Sequence, residues 1–110
     1  MTGGDPQDEG AILAHLRALA VAGAIPISDH ANQMLAERGI LIAEVREALS
    51  APQLLENYPH YAKGPCCLVY GRTQVGRPIH LVCSTTLARL VIITVYEPQP
   101  PKWRTPTERG

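Results

Sequence analysis

Two side chains able to move protons, His80 and Tyr96, lie on strand-like stretches in the most basic part of this 110-residue chain. Imidazole titrates near neutral pH, so His80 suits general acid or base work. Arg72 and Arg77 shortly precede it, and Lys102 and Trp103 follow Tyr96, so cations and a ring accompany the proton carriers. Upstream, His30, Met34 and Arg38 recur at helical spacing and share one helix face. The formal net charge of zero hides a sorting of charge along the chain. Residues 1–61 carry eight acidic residues against three basic, and residues 62–104 carry six basic against one acidic. A basic sheet surface is therefore the first place to expect function.

Other chemistries find less support. His15, His30, His60 and His80 form no HxxH or HxxxH pair, and Cys66, Cys67 and Cys83 form no CxxC, so no metal site is expected. No GxxxxGK or GxGxxG stretch offers a phosphate-cradling loop, and no cofactor is expected. Cys67 or Cys83 acting as a nucleophile with His80 would need a third, orienting group, and none is evident, so core thiols are the expectation. An odd cysteine count fits free thiols in a reducing cytoplasm. No span long enough for a membrane and no secretory start is expected.

These residues must be positioned by one domain, because 110 residues with 45% apolar content suit a single core. Residues 1–9 lack apolar periodicity and are expected to be disordered. Ile12, Leu13, Leu16, Leu19 and Ala20 predict a first helix ending at Gly23. Ile25-Pro26-Ile27 reads as extended, Ser28 or Asp29 as the N-cap of a second helix that stops at Gly39, and residues 42–49 as a third. Four strands follow, over 54–61, 66–72, 78–84 and 90–97, joined by loops short enough to require antiparallel pairing. The predicted architecture is α+β: two or three N-terminal helices on a four-stranded antiparallel sheet, with one domain over 10–97. Residues 98–110 are read as a proline-rich extended arm able to dock on another chain or fold back over the sheet.

Within the last two strands, Ile79, Leu81 and Cys83, and likewise Val91, Ile93 and Val95, form wholly apolar sets. Turning both toward the helices pairs Ser84 with Leu90, leaves a loop at 85–89 and sets His80 opposite Thr94. A polar outer face of His80, Thr94 and Tyr96 results, with Arg72, Arg77 and Lys102 near its ends. Each candidate also has a plainer reading. His30 can bond a carboxylate or cap its helix, Arg38 suits a helix C-terminus, and His80 can be a strand histidine bonded to a neighbouring Thr or Tyr. Thr94 and Tyr96 are good strand formers on a half-exposed face.

The run His30-Ala-Asn-Gln-Met-Leu-Ala-Glu-Arg38-Gly39-Ile40, then Glu44-Val-Arg46, Gly76-Arg-Pro-Ile-His80-Leu-Val, Ile92-Ile-Thr94-Val-Tyr96-Glu-Pro98 and Trp103 resembles a small bacterial domain of unknown function. That family is usually grouped with the RelE, ParE and BrnT toxins, and the likeness spans about residues 28–104. It implies a helix-first antiparallel-sheet fold and metal-independent RNA cleavage, with RNA or the ribosome as target and an antitoxin-like protein as partner. In that chemistry a 2′-hydroxyl loses its proton, the phosphorane-like charge is offset and the leaving oxygen gains a proton. His80 and Tyr96 would then be catalytic, Arg38, Arg72 and Arg77 phosphate contacts, Trp103 a stacking residue, and His30 and Thr94 supporting polar groups. The chain lacks the dense Lys and Arg clusters of ribosome-dependent nucleases. The rival readings are a non-catalytic module binding an acidic partner, or a ParE-like inhibitor acting by binding. An exposed edge at 54–61 could pair two copies into a homodimer.

Overall fold

Helical spacing of Ile12, Leu16 and Ala20 produces α1 (Glu9–Ala22), whose buried stripe is formed by those three residues. A computed structural model describes residues 9–86 and 89–110; residues 1–8 of the expected disordered start (1–9) and 87–88 of the expected 85–89 loop lie outside the described residues, whereas Glu9 already belongs to α1, and Thr85, Thr86 and Arg89 continue the strands because their backbones pair across the sheet. Helix α2 (Asp29–Arg38) starts where expected, with Ser28 Oγ accepting the Ala31 N–H at 3.1 Å. It ends at Gly39, whose φ of 63° is the left-handed conformation that glycine adopts without a Cβ penalty. Helix α3 (Ile42–Leu49) buries Val45, Ala48 and Leu49, and its start is held by the Leu41 N–H donating to Glu44 Oε1 at 2.9 Å. No helix among the described residues is long and apolar enough to cross a membrane.

The strands β1 (Gln53–Tyr58), β2 (Cys66–Arg72), β3 (Pro78–Thr86) and β4 (Arg89–Tyr96) form one antiparallel sheet in the order β1-β2-β3-β4. This is the expected α+β arrangement of helices and sheet. The stretch 26–28 is extended, as the proline requires, and joins the edge of β4: the Ser28 N–H donates to the Ile92 carbonyl and the Ile92 N–H to that of Pro26. That splice fixes α2 beside β4. The core lies between the helices and one sheet face, where Leu16, Val45, Leu49, Val69, Ile79, Leu81 and Val95 are fully enclosed. At Gly71 the backbone of β2 passes so close to α3 that an added Cβ would stand 2.0 Å from the Ala48 carbonyl oxygen.

Three details differ from the sequence reading. First, the strand expected over 54–61 ends at Tyr58. Second, the β3–β4 register shifts between Val82 and Cys83, so Thr94 pairs with Val82, Ile92 with Cys83, and His80 with Tyr96 instead of Thr94. The extra residue, Ile93, turns Leu90 and Ile92 into the core and leaves Val91 beside Ser84; an inserted residue reverses the inward set of a period-2 strand. Third, residues 98–110 do not remain an extended arm. Trp103–Thr105 (β5) and Glu108–Arg109 (β6) pair antiparallel as a small hairpin. It folds back over the sheet's outer face, carrying Trp103 and Pro106 onto His80. The face expected to be open is therefore covered at one end.

Candidate functional site

On the outer face, β2, β3 and β4 bring Tyr70, His80 and Tyr96 into one row. Trp103 comes down on them from the hairpin. The His80 ring meets Trp103 edge-on at 4.5 Å between centroids and lies 5.2 Å from Tyr96. His80 is wholly buried. Its Nε2 lies 2.7 Å from the Pro106 carbonyl oxygen and its Nδ1 3.1 Å from the Tyr96 hydroxyl. A carbonyl can only accept, so Nε2 carries the proton and Nδ1 accepts the Tyr96 O–H. Burial lowers the His80 pKa, only partly opposed by the Pro106 carbonyl, and burial raises that of Tyr96. At neutral pH the site holds a neutral imidazole behind a neutral phenol.

Tyr96 opens onto a cleft of about 690 Å³ between α2, β4 and the root of the hairpin. Arg38, Arg77, Thr94, Lys102 and Trp103 line it with Tyr96. The candidates do not all survive as contacts for an anion. Arg77 donates from Nε to Glu97 Oε1 at 2.8 Å and from Nη1 to Glu44 Oε1 at 3.0 Å, and it also reaches the Gly39 carbonyl. Two carboxylates neutralise it, and it clamps α2, α3 and β4 together. Arg72 donates to the Gly76 carbonyl at 2.7 Å and lies over Tyr70, outside the cleft. Trp103 is buried, with Arg109 over its ring at 4.7 Å, so it is not free to stack on a base. Its indole nitrogen is buried without a hydrogen-bond partner of ordinary geometry.

Arg38 remains on the cleft wall. Its Nη1 is fixed to the Val95 carbonyl at 2.8 Å, which orients the guanidinium without cancelling its charge. Lys102, named in sequence only as lying near the sheet's end, is the second cation of the cleft and has no ion-pair partner among the described residues. Thr94 lies between this cleft and a neighbouring hollow that holds His30, so His30 does not join Tyr96 directly. Sequence reasoning missed Glu44, Glu97 and Glu56, the acids that engage Arg77 and Arg109. Their partners are far away in the chain, and no local spacing announces them.

The thiols take no part in the cleft. Cys67 and Cys83 face each other across β2 and β3 on the helix side, fully buried, whereas His80 is on the opposite face. A Cys–His pair is thereby excluded. Among the described residues no three His, Cys, Asp or Glu side chains cluster as metal ligands.

No curated protein and no solved structure matches this chain. A family model does match, over a stretch that runs from the bridge at Ile27 through the end of the sheet and so takes in α2, α3, the four strands, His80 and Tyr96. On that match across residues 27–97, the chain belongs to the family described as a domain of unknown function, DUF4258.

Proposed function

We propose that this domain is a RelE/BrnT-like, RNA-directed protein that cleaves its target without a metal, in the manner of a toxin, with Tyr96 at the centre of the reaction. One observation carries the reading: Tyr96 lines a cleft bearing Arg38 and Lys102, and its hydroxyl donates to an imidazole whose other nitrogen is pinned to a carbonyl. In the proposed step the substrate 2′-hydroxyl gives its proton to the Tyr96 oxygen as the Tyr96 proton passes to His80 Nδ1. The 2′-oxygen attacks phosphorus, the bond to the leaving 5′-oxygen breaks as that oxygen takes a proton from solvent water, and the resulting hydroxide is neutralised by the proton that His80 returns through Tyr96. Both N–H groups of the transient imidazolium have an acceptor, the Tyr96 oxygen and the Pro106 carbonyl. Arg38 and Lys102 offset the charge on the phosphorane oxygens. His80 is a positioning residue here, because no substrate atom reaches a fully buried ring.

The test is cleavage of labelled single-stranded RNA in EDTA, with and without ribosomes, by the wild type and by Tyr96→Phe. The wild type is expected to leave 2′,3′-cyclic phosphate ends, and Tyr96→Phe to be slower by about a hundredfold while its melting stays cooperative and falls only by the cost of one unsatisfied buried nitrogen, about 1–3 kcal/mol. Equal rates in the two proteins, or no cleavage under either condition, would overturn the catalytic reading. A second reading, a non-catalytic module receiving an acidic partner in the same cleft, is favoured by the neutralisation of Arg77 and the burial of His80. It predicts binding that survives Tyr96→Phe and is lost with Arg38→Glu.

A further inference from the structure

Beside the Tyr96 cleft, the uncovered half of the outer sheet face forms a second hollow of about 510 Å³. Its walls are the start of α2 at His30, the β1–β2 loop at Tyr61 and Lys63, and the sheet at Ser84 and Thr94. Thr94 belongs to both hollows, so they meet. One face of α2 flanks them along their length: His30, Met34 and Arg38 follow at i, i+4 and i+8 and line one hollow or the other. At 1.5 Å per residue that row is about 12 Å long, the reach of about three nucleotides at a helical rise of about 3.4 Å.

The chemistry of the second hollow is one-sided. Among the described residues no carboxylate lines it. Lys63 has no ion-pair partner among the described residues, and Tyr61 is 53% exposed, an aromatic ring presented to solvent. The Gly64 N–H donating to the Tyr61 carbonyl at 2.9 Å closes the turn that holds both side chains on the lip. A cation, an open ring and hydroxyl groups in a groove are the elements that hold a phosphate and stack a base in single-stranded nucleic acid.

We infer that this hollow is a second subsite for single-stranded RNA, in which Lys63 holds the phosphate and Tyr61 stacks the base of a third nucleotide, next to the two whose shared phosphate lies at Tyr96. The inference rests on the RNA-directed reading above and extends it from one cleft to a continuous groove. It assigns roles to Tyr61 and Lys63, which the catalytic reading leaves unused.

The experiment is fluorescence anisotropy with labelled 2′-O-methyl oligouridylates of two and six nucleotides, which cannot be cleaved through the 2′-oxygen, so binding is read apart from catalysis. Wild type is expected to hold the six-mer about tenfold or more tighter than the two-mer. Tyr61→Ala and Lys63→Glu should each remove most of that gain, about tenfold for a stacked base, while leaving two-mer affinity within about twofold. Lys102→Glu should weaken both lengths. If Tyr61→Ala and Lys63→Glu bind the six-mer as wild type does while Lys102→Glu does not, the subsite is wrong and the RNA reading stands. Absence of binding by the wild type at either length overturns both. Both substitutions lie in an exposed loop, and unchanged melting curves would separate lost contact from lost fold.

Discussion

Replacing Gly71 by alanine is expected to lower the stability of the domain by about 3 kcal/mol or more, the upper end of what overpacking costs. The new Cβ would stand 2.0 Å from the Ala48 oxygen, 2.6 Å from its carbonyl carbon and 2.8 Å from its Cα. All three are backbone atoms of α3, so no rotamer change relieves the overlap, and the helix must move off the sheet. Val45, Ala48 and Leu49 would leave well-packed positions with it. Thermal unfolding should show a fall of about 12 °C or more, at about 4 °C or more per kcal/mol for a domain near this size. A shift of only a degree or two would mean that α3 has slack against β2. The consequence reaches the cleft, because α3 carries Glu44, which holds Arg77 against the carbonyls at Arg38 and Gly39. A displaced α3 should therefore also weaken whatever the Arg38 wall binds.

The helices and the four-stranded sheet were legible because their signals are local. Ser28 and Gly39 punctuate α2, the apolar stripes have helical period, and short loops leave antiparallel pairing as the only connection. The register of β4 was not legible for an equally physical reason. Both alternating sets, Leu90 with Ile92 and Val91 with Ile93 and Val95, are apolar, so nothing in the sequence says where the inward set changes. The bulge at Ile93 makes that change and brings Tyr96, in place of Thr94, opposite His80. The burial of His80 depends on a hairpin of very short strands in a proline-rich stretch. Its anchors, Glu56 and His80, lie far away in the chain. The charge sorting holds as a pattern, but part of it is spent internally: Arg77 reaches back to Glu44 and Arg109 to Glu56, basic residues late in the chain clamping acidic ones early in it. What remains for a ligand is Arg38 and Lys102 in the cleft and Lys63 beside it.

Acidification is expected to lift the hairpin from the sheet in two steps, and the chain's single tryptophan reports it. Trp103 is 3% exposed against His80, so its emission should shift to the red as the cap opens. The first step comes from His80, whose pKa burial depresses below its usual 6.5. Above about pH 6.5 the ring is neutral in both folded and unfolded chains and stability is undiminished; as the pH falls below that, the unfolded chain takes up the proton first and stability drops. The second comes from Glu56, held at about 2 chiefly by Arg109, whose Nε and Nη2 donate to the carboxylate at 2.7 and 2.8 Å. A depressed carboxylate stabilises the fold above its unfolded value near 4.5 and loses that contribution as the pH falls toward 2. The shift corresponds to about 3 kcal/mol as an upper bound, less for a side chain still partly wetted. Arg109→Gln should return Glu56 toward its ordinary range, weaken the cap at neutral pH and flatten the window between about 4.5 and 2, leaving the His80 step in place. Trp103 fluorescence and far-UV circular dichroism followed from pH 8 to 2 in both proteins decide it. A red shift that precedes loss of the circular dichroism signal places the opening at the hairpin, and coincident transitions, or an Arg109→Gln profile like the wild type's, would show that the cap is no separate unit and that the Glu56 pair does not hold it.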